Sequence, residues 1–190
     1  ELVKISANAF LATKISFINA MSQVCDAAGA NVTALAEAIG MDERIGSRFL
    51  RAGIGFGGGC LPKDIRAFQA RADELGVGDA PAFLAEVDRV NETMRAGVVQ
   101  TAKELLGDNL TGATVTVLGA AFKPDSDDMR NSPALDLATE LSGPAKRVVV
   151  HDPAAGPILA KQEDRPYEVA PSTQSALEGT DLIIVGTEWR

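Results

Sequence analysis

Apolar residues recur at helical spacing through the first hundred residues of the chain. A first stripe predicts one long helix over residues 1–28. Its members are Val3, Phe10, Phe17, Met21 and Val24, and Ile15 and Ile18 widen the apolar face. A second stripe predicts another long helix that begins near Pro81. Its members are Phe83, Val87, Val90, Met94, Val98, Ala102 and Leu105.

Shorter elements are predicted between these two helices. The first is capped by Asn31, runs to Ile39 and stops at Gly40. The second is capped by Asp42 and runs to about Leu50. The third has Pro62 in its first turn and runs to about Leu75. Residues 52–59 contain five glycines and are predicted to form a loop that approaches another group closely. Residues 1–107 are therefore predicted to be almost wholly helical.

The pattern changes at residues 107–112, a turn-rich boundary. Short β-branched runs follow it at Thr114–Leu118, Arg147–Val150 and Asp181–Val185, with a helical stretch at Pro133–Leu141. Strands that alternate with helices imply parallel βα units. The predicted fold is a helical central domain, residues 1–107, followed by a truncated α/β Rossmann-like domain with a parallel sheet, residues 108–190.

Composition narrows the class of protein. The chain is 46% hydrophobic, so it can bury a core, and its net charge of −8 gives no general basic surface for nucleic acid or anionic lipid. No apolar run is long enough to span a membrane. Because the chain begins at Glu1, without an initiator Met or a signal pattern, we expect a fragment of a longer protein.

The chain has few cysteine and histidine side chains. Two cysteines do not form a disulfide framework, which favours a reducing, cytoplasmic setting, and His151 alone gives no basis for a zinc site. The acidic run at Asp125, Asp127 and Asp128 is interpreted as a solvated loop. No metal site is predicted.

The segment GFGGGCLPKD, residues 55–64, carries the clearest candidate chemistry. Cys60 lies between the glycine loop and a helix N-terminus, where backbone N–H groups and the helix dipole favour a thiolate. Asp64 follows one turn later on the same side and can reach a group bound to the sulfur, and Lys63 adds positive charge. Alternatively, Cys60 is a small residue that fills a tight junction. Cys25, beside the first apolar stripe, is predicted to be a packing residue.

Three segments resemble signatures of the UDP-glucose and GDP-mannose dehydrogenase family. They are ELVKISANAFLATKISFIN at residues 1–19, GFGGGCLPKDIRAF at residues 55–68 and GAAFKPDSDDMRNSPAL at residues 119–135. They occur in the order and spacing of that family, and the resemblance covers essentially the whole chain. Three ordered motifs are much stronger support than one glycine pattern.

The resemblance implies an NAD-dependent enzyme that oxidises the C6 alcohol of UDP-glucose in two steps to give UDP-glucuronate. Cys60 would form a thiohemiacetal and then a thioester, and Asp64 would order or activate water. Lys4 and Asn8, four residues apart on one helix face, would stabilise oxyanion character at C6. Without the resemblance, Lys4 and Asn8 would be ordinary solvent-facing residues.

The resemblance also assigns binding roles. Sugar-nucleotide contacts would fall on Lys4, Asn8, Arg51, Gly53, Gly55, Phe56, Gly57, Phe122 and Lys123. Arg44 would reach the substrate of a partner subunit, which implies a homodimer through the helical domain. NAD contacts would fall on Cys60, Lys63 and Arg130. Taken alone, the arginines could be surface residues, but an acidic protein that binds a diphosphate needs local cations.

The chain departs from a dinucleotide-binding pattern at one turn. The turn after the first strand reads GAAFKP, without the G-x-G-x-x-G that seats a pyrophosphate. The NAD fingerprint of the family lies in a preceding domain, so these 190 residues alone are expected to be inactive. Oxidation of GDP-mannose by the same chemistry is a close alternative. A non-catalytic dimerisation and nucleotide-binding module is a third possibility.

Overall fold

A computed structural model of the chain describes residues 1–107 and 110–189. It divides into two compact units, Glu1–Met94 and Arg95–Arg190, here called unit 1 and unit 2. The predicted domain boundary between residues 107 and 108 stays a prediction, because residues 108 and 109 lie outside the described residues.

Unit 1 is built from helices and loops. The helices are α1 Leu2–Ala28, α2 Val32–Gly40, α3 Leu61–Glu74 and the first half of α4 Phe83–Leu105. Gly29 ends α1 in the left-handed conformation at φ 68°, and the Asn31 side chain caps α2 by accepting from two backbone N–H groups. The predictions of these four helices are confirmed within one or two residues at most ends.

The predicted helix from Asp42 to Leu50 is wrong. Residues 41–50 form a series of turns, in which the N–H groups of Ile45 and Gly46 both donate to the Asp42 carbonyl. Gly46 and Phe49 then adopt positive φ, at 69° and 62°, which a right-handed helix cannot accommodate. The Asp42 carboxylate accepts from Arg44 instead of capping a helix.

Most of the apolar stripe of α1 is exposed. Four of its members are 48–85% exposed, namely Val3, Phe10, Phe17 and Val24. Met21 and the two residues that widen the face, Ile15 and Ile18, pack in the core clusters of unit 1. The other buried residues of α1 are small or polar, which lets the loop and α3 approach the helix closely; they are Ala9, Ala12, Ser16, Asn19 and Cys25. The pattern of large apolar residues therefore identified the helix but only part of its buried face.

Unit 2 contains a parallel four-stranded sheet. Its strands are β1 Thr114–Leu118, β2 Arg147–His151, β3 Glu168–Val169 and β4 Leu182–Val185, in the spatial order β3-β2-β1-β4. Helices α5 Pro133–Leu141, α6 Gly156–Leu159 and α7 Thr173–Ala176 connect them, and Leu110–Gly112 forms a short 3₁₀ turn before β1. The predicted helical-then-α/β fold class is confirmed, whereas β3, α6 and α7 were too short for the sequence pattern to indicate.

The strand order has its topological switch point at β1. The chain moves from β1 to β2 and β3 on one side and then crosses to β4 on the other. Val115 pairs with Val148 of β2 and with Leu182 of β4, in register. Ligands of open parallel sheets bind beyond the carboxyl ends of strands at such a switch point. The loops after β1 and β4 are therefore where a ligand site of unit 2 is expected.

Membrane-spanning helices and metal-binding clusters are both absent from residues 1–107 and 110–189. No described helix is both long and apolar enough to cross a membrane. No group of three or more His, Cys, Asp or Glu residues is arranged to hold a metal ion within residues 1–107 and 110–189.

Candidate active site

Cys60 lies at the junction between the glycine loop, residues 53–59, and α3. It is the N-cap residue of α3, its thiol is free, and the residue is exposed, whereas Cys25 is free and buried. Pro62 occupies the first turn, where its missing N–H costs no helical hydrogen bond. The Cys60 carbonyl accepts from the Asp64 N–H at 2.8 Å, which closes the first turn of α3. The thiol is therefore accessible at a helix N-terminus.

Asp64 is the centre of a small polar network in unit 1. Its Oδ2 accepts from Asn8 Nδ2 at 2.7 Å, and its Oδ1 lies 3.2 Å from Lys63 Nζ. The side chain is only 7% exposed, and yet the pKa of Asp64 is below its ordinary value. The main cause is the hydrogen bond from Asn8, which outweighs burial, and the charges of Lys63 and Lys4 add to it. Asp64 is therefore held as a carboxylate.

The structure thus brings several predicted residues into one place. Asn8, Lys63 and Asp64 are in direct contact, Lys4 is close enough to act on the Asp64 charge, and Cys60 is one turn from Asp64. The sequence separation between Asn8 and Asp64 is 56 residues, so only the packing of α1 against α3 could join them.

Two buried asparagines that the sequence analysis missed hold the glycine loop. Asn19 Oδ1 accepts from Gly53 N at 2.9 Å. Asn91 Oδ1 accepts from Phe56 N at 2.6 Å, and Asn91 Nδ2 donates to Phe56 O at 3.1 Å. Gly55, at φ 104°, passes so close to Asn91 that a Cβ there would lie 2.6 Å from Oδ1. The sequence did contain a signal for Asn91. It follows Leu84 and Val87 at the helical spacing of buried positions, where a polar residue is unusual.

The turns that carry Arg44 are held by α1 as well. Lys14 Nζ donates to the carbonyls of Ile45 and Gly46 at 2.9 and 3.2 Å. The Arg44 side chain is 88% exposed and paired with Asp42 at 2.5 Å. Lys14 was another residue that the sequence analysis did not single out. Arg51 is exposed at the start of the glycine loop.

In unit 2, the predicted nucleotide contacts lie just beyond β1. The ammonium group of Lys123 lies 5.4 Å from the centre of the Phe122 ring, a cation–π distance, and Phe122 N donates to Asp128 O at 3.0 Å. Arg130 forms a bidentate ion pair with the Asp128 carboxylate, in which Nε donates to Oδ1 at 3.0 Å and Nη2 donates to Oδ2 at 2.7 Å. Hydrogen bonds from Arg130 lower the pKa of Asp128 to about 2. The loop therefore gathers Phe122, Lys123 and Arg130.

Asp152 anchors this loop from the end of β2. The residue is 1% exposed, and five N–H groups donate to its carboxylate. They belong to the backbone of Ala120, Ala121, Ala154 and Ala155 and to the indole of Trp189. Burial by itself raises the pKa of Asp152, but these hydrogen bonds together lower it below the ordinary value.

The loop after β4 closes on the loop after β1. Thr187 Oγ1 donates to Ala121 O at 2.5 Å, and a Cβ on Gly119 would lie 2.4 Å from the Thr187 backbone nitrogen. Gly119 adopts φ 103°, so only glycine fits this close approach.

Unit 2 does not seat a dinucleotide in the way a Rossmann domain does. Its first turn lacks the glycine fingerprint, and the acidic residue at the end of β2, which would bind a ribose, gives its oxygens to protein N–H groups. The predicted NAD contacts Lys63 and Arg130 are exposed cations, 67% and 73% by side chain, and suit a pyrophosphate by charge. Lys63 belongs to unit 1 and Arg130 to unit 2, and their contacts to NAD stay predictions.

Unit 1 carries a cysteine at a helix N-terminus after a glycine loop, and unit 2 is a parallel α/β sheet with a topological switch point at β1. This combination is typical of nucleotide-binding enzymes with a thiol nucleophile. Comparison with known proteins sharpens this class. The family model for the UDP-glucose/GDP-mannose dehydrogenase family, central domain, matches residues 1–93, and that for the family's UDP binding domain matches residues 116–190. The chain belongs to the UDP-glucose/GDP-mannose dehydrogenase family.

Individual relatives agree with this assignment. The chain is 41% identical to the UDP-glucose 6-dehydrogenase TuaD of Bacillus subtilis, over 100% of this chain and 40% of that protein. Its fold matches a UDP-glucose dehydrogenase from Pyrobaculum islandicum with a TM-score of 0.91, 39% identity and coverage of 99% and 43% of the two chains. A GDP-mannose dehydrogenase from Pseudomonas aeruginosa matches at a TM-score of 0.61 and 25% identity, over 98% and 44%. The chain spans about two fifths of the length of these relatives.

Proposed function

We propose that the full-length protein oxidises UDP-glucose to UDP-glucuronate with NAD, and that Cys60 is its nucleophile. The observation that carries this proposal is the first turn of α3. There an exposed thiol at the N-cap lies one turn from an ionised carboxylate that Asn8 and Lys63 hold in place. Family membership and the curated relatives named UDP-glucose 6-dehydrogenase support it.

Cys60 acts on the aldehyde that forms at C6 of the sugar. Its sulfur bonds to the aldehyde carbon, and the thiol proton ends on the new hydroxyl of the thiohemiacetal. Oxidation of that centre gives a thioester, and water then breaks the C–S bond to release the carboxylic acid and the thiol. NAD, when bound, supplies the hydride acceptor for both oxidations, and Cys60, Lys63 and Arg130 are the residues of this chain that would contact it.

The neighbours of Cys60 have separate roles in this scheme. The amine of Lys4 and the amide of Asn8 stabilise negative charge on the C6 oxygen. Asp64, kept ionised by Asn8 and Lys63, orders the water that attacks the thioester. The backbone of the glycine loop contacts the sugar nucleotide. Phe56 was predicted to contact it as well, but its side chain is buried and its N–H and carbonyl bond to Asn91, so it supports the loop instead. Phe122 and Lys123 are the proposed nucleotide contacts of unit 2. Arg44 and Arg51 supply local positive charge in an otherwise acidic protein.

UDP-glucose is favoured over GDP-mannose as the substrate. The curated relatives at 38–41% identity include three that are named UDP-glucose 6-dehydrogenase. The GDP-mannose dehydrogenase structure matches less closely, at a TM-score of 0.61 against 0.91.

NADH formation by the full-length protein tests the proposal. UDP-glucose should give two NADH per sugar, and Cys60→Ala should lower kcat/KM by at least about a thousandfold. Cys25→Ala, the matched thiol, should leave the rate unchanged because Cys25 is buried in the packing of α1. Residues 1–190 alone should give no NADH. Activity with GDP-mannose only would overturn the substrate assignment, and full activity of Cys60→Ala would overturn the nucleophile.

The proposal includes a homodimer through the helical unit. Val3, Phe10, Phe17 and Val24 stand seven residues apart on α1 and are all exposed, which forms an apolar strip suited to a second helix. Phe10→Asp together with Phe17→Asp should halve the mass measured by sedimentation. An unchanged mass would place the interface elsewhere. The two separate free thiols support a cytoplasmic setting for this dimer.

A non-catalytic dimerisation and nucleotide-binding module is the alternative of another class. The exposed strip on α1 alone would favour it. Thiol labelling at neutral pH separates the two when each cysteine is compared with the same cysteine in unfolded protein. A nucleophilic Cys60 should react much faster in the folded protein than in the unfolded one, whereas a Cys60 in a non-catalytic module should not.

A further inference from the structure

The glycine loop combines high intrinsic freedom with specific restraints. Five glycines in residues 53–59 lose more backbone entropy on ordering than any other residue type would. The loop nevertheless takes two positive φ values, at Gly55 and Gly58, and buries Phe56 to 7% exposure. Groups outside the loop must therefore stabilise this single conformation.

Asn91 supplies the stronger restraint. Its amide accepts from Phe56 N and donates to Phe56 O, so one side chain satisfies both polar groups of one loop residue, as a neighbouring strand would. Asn91 is 4% exposed, and hydrogen bonds in such a setting are costly to break because the separated groups cannot turn to water. An amide at this length offers the donor and the acceptor side by side.

Asn19 supplies the second restraint from α1. The residue is fully buried, its Oδ1 accepts from Gly53 N, and its Nδ2 has no hydrogen-bond partner among the described residues. Burying an unpaired amide group destabilises the fold. The hydrogen bond from Gly53 N to Asn19 Oδ1 is therefore what an asparagine offers at this position that an apolar residue would not.

The loop is coupled through Phe56 to the helices that carry the reacting groups. Phe56 packs in one cluster with Ile65 of α3, which follows Cys60 and Asp64, and with Ala9 of α1, which follows Asn8. A shift of the loop backbone would therefore reach the side chains on both helices, because close-packed interiors transmit displacement.

We propose that Asn19 and Asn91 are positioning residues that clamp the glycine loop, so that the loop backbone and Cys60 meet the substrate in one fixed geometry. The proposal rests on the proposed function of Cys60. It predicts that loosening either clamp weakens substrate binding and slows the reaction, although neither side chain need touch the substrate. A displacement of about 1 Å can lower a rate about a hundredfold.

The test uses the full-length protein with Asn91→Ala, Asn19→Ala and a matched control, Asn31→Ala. Asn31 caps α2 from an exposed position, so its loss destabilises the fold without touching the loop. In both clamp variants the Phe56 and Gly53 amides should exchange hydrogen at least about tenfold faster. KM for UDP-glucose should rise about tenfold and kcat should fall, whereas Asn31→Ala should leave KM unchanged.

Asn91→Asp gives a signature that a general loss of stability would not produce. When the aspartate of this variant is ionised, its second oxygen takes the place of Asn91 Nδ2, which now donates to Phe56 O at 3.1 Å. The two oxygens would then repel each other. As a neutral acid, it can again accept from Phe56 N and donate to Phe56 O. The protection of the Phe56 amide should therefore recover as the pH is lowered in Asn91→Asp, but not in Asn91→Ala.

The outcomes separate this proposal from the function on which it rests. Unchanged amide exchange and KM in both clamp variants, or no pH recovery in Asn91→Asp, would overturn the clamp. Faster exchange in a protein that does not oxidise UDP-glucose would keep the clamp as a restraint on the loop and would overturn the assigned reaction.

Discussion

Two glycine-containing loops in this chain are held by buried polar side chains of different charge. In unit 1, the neutral amides of Asn19 and Asn91 hold the glycine loop. In unit 2, the carboxylate of Asp152 holds the loop after β1, here Gly119–Phe122. Each anchor comes from an element that is distant in sequence from its loop.

The difference follows from what each loop exposes to its anchor. Phe56 turns both its N–H and its carbonyl toward Asn91, so the anchor must donate and accept. The loop after β1 and the start of the β2–α6 connection turn only N–H groups toward Asp152, so an acceptor with two oxygens suits them. One anchor titrates with acid and the other does not.

Loss of the charged anchor should have the largest effect. Asp152→Ala leaves five N–H groups without an acceptor, four of them in the backbone, and should lower the free energy of unfolding of unit 2 by about 3 to 5 kcal/mol. Trp189, the one tryptophan of the chain, donates to Asp152, so its fluorescence reports unfolding of unit 2 directly.

A control at the surface of unit 2 tests whether the loss is specific. Glu168→Ala removes an exposed pair with Arg147 and should cost at most about 1 kcal/mol. Equal losses for the two variants would contradict the anchoring role of Asp152.

A methyl group on the glycine loop should have the next largest effect. Gly55→Ala puts a Cβ 2.6 Å from Asn91 Oδ1 at a φ of 104°, so the loop must move or Asn91 must release Phe56. We expect a loss of about 1 to 3 kcal/mol in the free energy of unfolding. Gly53→Ala is the control, because its Cβ meets nothing within 4 Å and its φ is not in the left-handed range. Similar denaturant midpoints for both variants would refute this account of the loop.

The two anchors should also differ in their response to acid. The folded pKa of Asp152 is lowered, so its contribution to stability is fully present above the unfolded value of about 3.9 and is lost as the pH falls through the lowered folded pKa. The difference in unfolding free energy between wild type and Asp152→Asn should therefore shrink as the pH is lowered below about 4. Asn91→Ala, compared in the same way, should show a constant difference.

The smallest predicted effect is a change of pKa within the candidate site. Asn8→Ala removes the hydrogen bond that contributes most to the lowered pKa of Asp64, while the burial that opposes it remains. The pKa of Asp64 should therefore rise, as measured by carboxyl carbon chemical shifts against pH. Lys63→Ala should also raise it, because Lys63 lowers the pKa of Asp64 through both a hydrogen bond and its charge. An unchanged pKa of Asp64 in Asn8→Ala would contradict the assigned cause.

Much of the fold could be predicted because its long elements carry strong local signals. The stripes of α1 and α4, the cap at Asn31 and the β-branched runs of β1 and β2 are each visible within a short window. The predicted helix at residues 42–50 failed because polar and apolar residues there are spaced as in a helix, whereas Gly46 and Phe49 adopt positive φ.

The candidate site was predictable in its residue types but not in its supports. Cys60 and Asp64 are neighbours on one helix turn, and resemblance to a family brought in Lys4 and Asn8. Asn19 and Asn91 were missed because each is a polar residue within a long helix, and its partner is a backbone group 34 or 35 residues away. No local pattern specifies which backbone group such a side chain will meet.

The pairing of β1 with β4 has a consequence for how the protein is made. Thr114 bonds to Asp181, 67 residues later, so β1 and β2 emerge from the ribosome well before β4. Until β4 arrives, one side of β1 presents unpaired backbone groups flanked by Val115 and Val117. Such an edge can pair with another chain. During synthesis, β1 is therefore open to pairing with other chains until β4 has emerged.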